Sequence, residues 1–442
     1  MRLLLSALLS LVLAGIVIVL APFAGAAPSG AQTEFSDQAR TRPALCGKRW
    51  YARAHRRACR QDAAAKKPAA ATPEKPKSAE APTRPDLTGD QENVAIIPGI
   101  PDARFWADSE ADFTRALPSE RGPWIVLSTG GGDGAFGAGL LTGWAASGKR
   151  PQFALVTGVS TGALMAPFVF VGSSMDDRLK RAYTEYNAGD IFEDVKTPES
   201  LVDTWPLKRL IAKEVTPELL AAVAEGHKAG RRLFVATTNL DAGRSMIWNM
   251  GAIAARGDDA ALKLFRDILL ASTAIPGLFP PVLIDIEADG KKTQEMHADG
   301  GLAAQLYVAP ESVVNTSSTY QLPATALYVI ANSRLTPEFQ ITERSLLGVL
   351  GHSITVGVQS ALRVGIDRVY AVAKRGNVPF NLAYPALAAD QQGRGAFDSE
   401  FMKGLFELGA ARGKSEDPFV HDVSDALRPP APAANSPAPA PK

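Results

Sequence analysis

Phe153-Ala154-Leu155-Val156-Thr157-Gly158-Val159-Ser160-Thr161-Gly162-Ala163-Leu164-Met165-Ala166 is the stretch from which the rest of the chain is best read. An apolar run enters Gly-x-Ser-x-Gly and a helix-compatible run leaves it. Strand, pentapeptide and helix form the context in which such a serine becomes a nucleophile. Gly158 and Gly162 lack Cβ atoms, so the backbone can turn sharply and hold Ser160 in a strained conformation at the tip. At a helix start, Ser160 would meet unpaired N–H groups and the positive end of the helix dipole, both of which favour developing negative charge. The pentapeptide alone is common, and a glycine-bounded turn with an incidental serine explains it as well. Its neighbours must discriminate.

Upstream, Trp124-Ile125-Val126-Leu127 is short, apolar and β-branched, which reads as a buried strand. It runs into Ser128-Thr129-Gly130-Gly131-Gly132-Asp133-Gly134-Ala135-Phe136-Gly137-Ala138-Gly139, with helix-compatible Leu140 to Trp144 behind. A glycine-rich turn between strand and helix gathers backbone N–H groups on one point, an anion site. A phosphate loop needs Gly-Lys-Ser/Thr, and there is no lysine here. Gly132-x-Gly134-x-x-Gly137 matches a dinucleotide fingerprint only loosely. An oxyanion hole remains, with Gly130, Gly131 and Gly132 as donors, beside the plain alternative of a tight packing turn.

Downstream, Asp176 to Glu185, Thr197 to Glu225 and Asp258 to Leu270 read as helices, and Leu233 to Leu240 as a strand. Ala271 to Val282 is a Pro/Gly-fixed loop whose apolar side chains either line an acyl pocket or pack under the sheet. His297-Ala298-Asp299-Gly300-Gly301 contains an aspartate that, taken alone, is a turn residue. Ala326 to Ile330 and Val369 to Ala373 are expected strands. Glu343 to Leu362 and Phe397 to Ala411 are expected helices. Strands alternating with helices indicate an α/β fold with a mostly parallel central sheet.

Three blocks together resemble the patatin-like phospholipase family: the Gly130–Gly139 turn, the Gly158–Gly162 elbow and the Asp299-Gly300-Gly301 turn. Phe234 to Gly243 with Trp248-Asn249, Ser272 to Pro276, and Phe279 to Val282 are similar to it as well. The likeness spans roughly Pro123 to Gln305. It implies a three-layer α/β/α fold and a Ser–Asp dyad without histidine. Ser160 matches the nucleophile, Asp299 the base, and Gly130, Gly131 and Gly132 the oxyanion turn. The implied activity is hydrolysis of acyl esters in phospholipids or related lipids through an acyl-serine. Asp133 stands where the family often has Arg or Lys, so it is expected to face solvent or a partner cation. Thr129 stands where the glycine run often starts.

The 442 residues are 46% hydrophobic with a formal charge of +1, a globular balance that argues against a nucleic-acid-binding protein. Arg2, the apolar run Leu3 to Leu20, Pro22 and Ala24-Gly25-Ala26-Ala27 describe a secretory signal over 1–26, with an uncleaved membrane anchor as the alternative. Export to the periplasm, envelope or medium is therefore expected. Residues 27–93 form a basic Pro/Ala-rich linker, 94–428 the catalytic domain and 429–442 a Pro/Ala tail. The cations between Lys48 and Arg60 offer a peripheral membrane contact, or simply keep the linker soluble. Cys46 and Cys59 flank them and could close one loop in an oxidising compartment. No metal cluster or cofactor is expected. Rival readings are a Ser-His-Asp esterase using His297, His352 or His421, an acyltransferase, and a lipid-binding envelope protein without catalysis. His55 falls in the linker and His227 in a charged, exposed-looking segment.

Overall fold

The computed structural model describes residues 84, 87–195, 197–336, 341–386, 397–424 and 426–427. The chain divides into units Met1–Lys77 and Ser78–Lys442, and only the second contains described residues. The expected signal segment, the basic patch at 48–60, Cys46, Cys59, His55 and the 429–442 tail lie outside them.

Among the described residues nine strands make one mixed sheet: β1 (Arg104–Trp106), β2 (Gly122–Leu127), β3 (Leu155–Val159), β4 (Arg232–Asn239), β5 (Arg244–Asn249), β6 (Val282–Ala288), β7 (Lys291–Asp299), β8 (Ala324–Ile330) and β9 (Phe380–Ala383). Their order is β1-β5-β4-β3-β2-β8-β9. The pairs among β4, β3, β2, β8 and β9 are parallel, whereas β5 and β1 continue the sheet antiparallel. The β6–β7 hairpin branches off where β7 pairs with the last residues of β4, Thr237 opposite Asp299.

Seven helices bear on the site: α1 (Gly134–Ala146), α2 (Thr161–Val171), α3 (Asp176–Thr184), α4 (Trp205–Glu214), α5 (Asp259–Ser272), α6 (Leu346–Arg375) and α7 (Ser399–Gly413). Successive side chains of a strand point to opposite faces, and that alternation makes the three layers. Ile125 and Leu127 join α1, α2, α5 and α7 in one core, while Trp124 and Val126 join the C-terminal half of α6 in the other. Both faces of β2, β3 and β4 are buried, which is why these strands read as continuous apolar runs. The fold is the three-layer α/β/α expected.

Several boundaries differ from expectation, among them the start of the Thr197–Glu225 helices, which is Trp205, and the end of the Glu343–Leu362 helix, which is Arg375. Val369 to Ala373 is not a strand but the last part of α6. Val369 and Ala373 extend the buried series Leu362, Ile366 at helical spacing, so the 3.6-residue period overrides β-propensity. The folded body also starts before Val94: helix Gly89–Val94 carries buried Glu92 against Asn239, and Arg84 pairs with Asp241.

Candidate active site

The parallel strands end on one edge, the usual position for a site in an α/β sheet. β3 ends at Val159, and Ser160 follows with φ 56° and ψ −122°, at the N-cap of α2. This is sparsely populated territory for a residue with a Cβ, a cost that clusters at functional positions. Two features hold it. The Ser160 N–H donates to Ser272 Oγ at 3.0 Å, and Ser272 Oγ donates to the Ala236 carbonyl at 2.7 Å, anchoring the elbow on β4. The elbow is also closed too tightly for side chains: a Cβ on Gly158 would lie 2.4 Å from the Gly162 carbonyl oxygen, and one on Gly162 2.3 Å from that of Leu127.

Asp299 ends β7 and caps the short turn Gly300–Leu302. Its Oδ2 accepts the Ser160 hydroxyl at 2.7 Å, and Oδ1 accepts the Gly301 N–H at 2.7 Å. The backbone is fixed on both sides, by Asp299 N–H to the Ala274 carbonyl at 2.8 Å and Thr238 Oγ1 to the Asp299 carbonyl at 2.9 Å. Burial pushes the carboxyl up to about 6, while the bonds from Ser160 and Gly301 hold it down. Gly300 sits where a Cβ would strike the Ala236 carbonyl at 2.4 Å, so the chain passes directly beneath β4.

The third part is the turn after β2. Gly131–Asp133 form a 3₁₀ turn closed by Asp133 N–H on the Gly130 carbonyl at 3.1 Å. The first N–H groups of such a turn have no acceptor within it. Gly131 and Thr161 line one slot, which sets this turn beside the start of α2. Asn332, directly beyond β8, secures the turn: its N–H donates to Ser128 Oγ at 2.9 Å and its Nδ2 to the Ser128 carbonyl at 2.8 Å. Thr129 has a role here that its departure from the glycine pattern does not suggest. Its N–H donates to the Gln305 carbonyl at 3.0 Å and its hydroxyl to Gln305 Oε1, while Gln305 Nε2 donates to the Gly301 carbonyl. Gln305 thereby ties the glycine turn to the aspartate turn. Asp133 is half-buried; lost hydration pushes its carboxyl up to about 6, and the charge of Arg334 opposes this.

Behind Asp299 lies a buried polar network. The Trp248 indole donates to Thr237 Oγ1 at 2.8 Å, Thr237 meets His297 Nδ1 at 2.9 Å, and His297 Nε2 meets Glu295 at 3.1 Å. Since the Glu295 carboxylate can only accept, His297 carries its proton on Nε2 toward it, and the Thr237 hydroxyl donates to Nδ1. Arg104 completes the network on Glu295, with a 2.8 Å bond from its Nη2. Burial lowers the His297 pKa, against the raising influence of Glu295, so the ring is neutral. Both ring nitrogens are therefore committed, Nδ1 tying β7 to Thr237 of β4 and Nε2 holding Glu295 within β7. His421 binds Asp417 at 3.0 Å and the Phe380 carbonyl at 3.1 Å; His352 stands on the outer part of α6; His227 is half-buried, not exposed. Among the described residues, the Ser160 hydroxyl bonds to Asp299 and to no histidine. Among them too, no group of three His, Cys, Asp or Glu stands together to hold a metal.

Next to Gly131 and Thr161 opens a slot of about 80 Å³. Its walls are apolar, with Leu164 and Phe168 from α2, Ala182 from α3, Leu207 and Leu210 from α4, and Met402 from α7. Its walls also include Tyr186 and Glu214, themselves joined at 3.1 Å. The 271–282 loop does not line it; that loop instead supplies Ser272 and the Ala274 carbonyl to the two limbs of the site.

A serine elbow, a buried aspartate and a glycine turn thus stand on the carboxyl edge of an α/β/α sheet. Residues 125–310 match the model of the patatin-like phospholipase family. Among solved structures, VipD from Legionella pneumophila is similar at 11% identity over 68% of each chain, with a TM-score of 0.35. No curated protein matches the sequence.

The sequence pointed to every residue of the Ser160–Asp299 contact but not to its supports. Ser272, Thr129 and Thr237 lie inside quoted stretches with nothing there to mark their roles; Asn332 and Gln305 give no signal of their own.

Proposed function

We propose that the protein hydrolyses acyl esters of phospholipids or related lipids, with Ser160 as nucleophile and Asp299 as the base. The 2.7 Å contact from Ser160 Oγ to Asp299 Oδ2, in a site closed to solvent, carries this reading. Asp299 takes the hydroxyl proton as Oγ attacks the ester carbonyl. Its burial supports the role, because a carboxylate raised to about 6 is a better base than an ordinary one and still ionised at neutral pH. N–H groups of Gly130, Gly131 and Gly132 take the charge of the tetrahedral intermediate; losing one such donor typically costs about 10²–10³ in rate. Collapse forms the acyl-serine, and the proton on Asp299 passes to the departing alcohol or lysolipid. Water then attacks the acyl-serine, giving its proton to Asp299, and the fatty acid leaves as Ser160 recovers its hydrogen. The slot beside Gly131 and Thr161 takes the acyl chain, since apolar walls suit methylenes and leave a head group outside.

Two assays test this. A fluorophosphonate probe should label the wild type and leave Ser160→Ala unlabelled; no labelling of wild type would favour a lipid-binding protein without catalysis. Ala182→Phe, which fills the slot, should lower kcat/KM for long-chain p-nitrophenyl esters by about tenfold and spare the acetate. Equal losses on both esters would place the chain elsewhere. We further propose export by the Leu3–Leu20 segment. N-terminal sequencing of the mature protein should begin near Ala27, and retention of Met1 would favour the anchor.

A further inference from the structure

Helix α6 changes character along its 30 residues. Its C-terminal half packs on the sheet through Leu362, Ile366, Val369 and Ala373, all buried and on one stripe. Continued toward the N-terminus, that stripe passes through Val358, Thr355, Gly351 and Gly348, which are small or polar apart from Val358. The remaining surface carries Leu346, Val349, Leu350, Ile354 and Val356, exposed by 45% to 82%. This inverts the surface helix of a globular protein, whose apolar stripe faces the core. Residues 345–362 also contain no Asp, Glu, Lys or Arg, whereas Glu343 and Arg344 stand at one end and Arg363, Asp367 and Arg368 at the other. The foot of the helix borders a groove of about 610 Å³, formed by Gly357, Ala361 and Gly365 against the Ala303–Ala309 segment. That segment follows the Asp299-Gly300-Gly301 turn.

We propose that the N-terminal half of α6 docks the protein on a lipid surface, entering the acyl region of one leaflet and setting the groove against it. The charge pattern favours lipid: the uncharged middle suits hydrocarbon, and the charges at both ends suit head groups and water. A second copy of the chain would cover one narrow seam, as paired helices do, and leave the rest of this wide apolar surface in water. Among the described residues no helix is long and apolar enough to cross a membrane, so the docking is interfacial. It places the groove where an acyl lipid would leave the bilayer, and it stands whether or not Ser160 turns over substrate.

The test is hydrogen exchange on the full chain with vesicles of phosphatidylcholine alone. Amides of 346–361 should exchange about tenfold or more slowly once vesicles are added. Leu350→Glu with Ile354→Glu should abolish that protection while leaving the thermal melt unchanged, since both side chains are exposed. Each replacement should weaken the vesicle partitioning carried by this helix by about 10–100-fold. Unchanged exchange over 346–361 while the protein sediments with vesicles would overturn the proposal. So would binding confined to anionic vesicles and lost in salt, which would assign docking to the 48–60 cations. Protection without lipid would overturn it in favour of a second copy if it grows with protein concentration, and of another part of this chain if it does not.

Discussion

Ser160 and Asp299 meet across 2.7 Å but are 139 residues apart, and they reach that contact by different routes. The serine limb is local. β3, the elbow and α2 are consecutive, and the glycines at 158 and 162 let them close on one another. Its cost is conformational, a strained Ser160 backbone held by one hydroxyl from α5. The aspartate limb is non-local. β7 is polar along most of its length and reaches the site by pairing with the end of β4, backed by Glu295, His297 and Arg104. Its cost is electrostatic, a carboxylate deprived of water. One limb stores strain and the other stores desolvation, so damage to each should read differently.

The largest effects belong to the two ends of the contact. Ser160→Ala and Asp299→Asn should each lower kcat/KM for a p-nitrophenyl ester by about 10⁴-fold or more, with circular dichroism unchanged. Either variant retaining near-wild-type turnover would sink the direct pair.

Next comes the support of the serine limb. Ser272→Ala leaves the Ser160 N–H without its acceptor in a buried site. A stability loss of about 1–3 kcal/mol is expected. A fall of about 10–100-fold in kcat should accompany it, because a nucleophile displaced from its attack geometry loses rate steeply. Denaturant melts and steady-state kinetics would read the two together; a stability loss with kcat intact would mean the elbow holds its own shape.

The support of the aspartate limb should show a smaller kinetic effect and a distinct signature. His297→Gln weakens the tie between β7 and β4, and about a tenfold loss in kcat is expected. The pH–rate profile should keep its inflection near 6 in that variant, because Asp299 rather than His297 must lose a proton for the reaction. In the wild type the rate should rise as pH increases through about 6 and then level off. An inflection that vanishes with the histidine would reverse the assignment.

The smallest effect is on stability. The Asp299 carboxyl binds its proton more tightly folded than unfolded, so the unfolded state holds fewer protons between the ordinary carboxylate range and about 6. Its contribution therefore falls as pH rises across that window. Asp299→Asn removes the dependence and should be more stable than wild type at pH 7 by about 1–3 kcal/mol, less what is lost with the Ser160 and Gly301 bonds. Melts at pH 4.5 and pH 7 would show the difference narrowing toward acid.

The serine limb and the glycine turn were legible in the chain because each is a strand, a turn and a helix written consecutively. A short apolar run and glycines at fixed spacing leave few other backbone paths. The strand β7 was not legible: Lys291-Lys292-Thr293-Gln294-Glu295 has no apolar run, and β4, the partner that sets Asp299 in the site, lies far back in the sequence. Val369 to Ala373 failed for the complementary reason, since β-branched residues at helical spacing fit a buried helix face as well as a strand.

Sequence thus settled the fold class, the elbow at Ser160, the glycine turn and, through the order of three motifs, Asp299 as its partner. Tertiary structure settled the rest: the commitment of His297 to Thr237 and Glu295, the Gln305 tie between the two turns, the apolar slot between α2, α3 and α4, and the outward apolar side of α6. The division has a physical cause. Turn chemistry and periodicity act over a few residues and are written in them, whereas burial, desolvation and hydrogen bonds between distant segments exist only once the chain has brought those segments together.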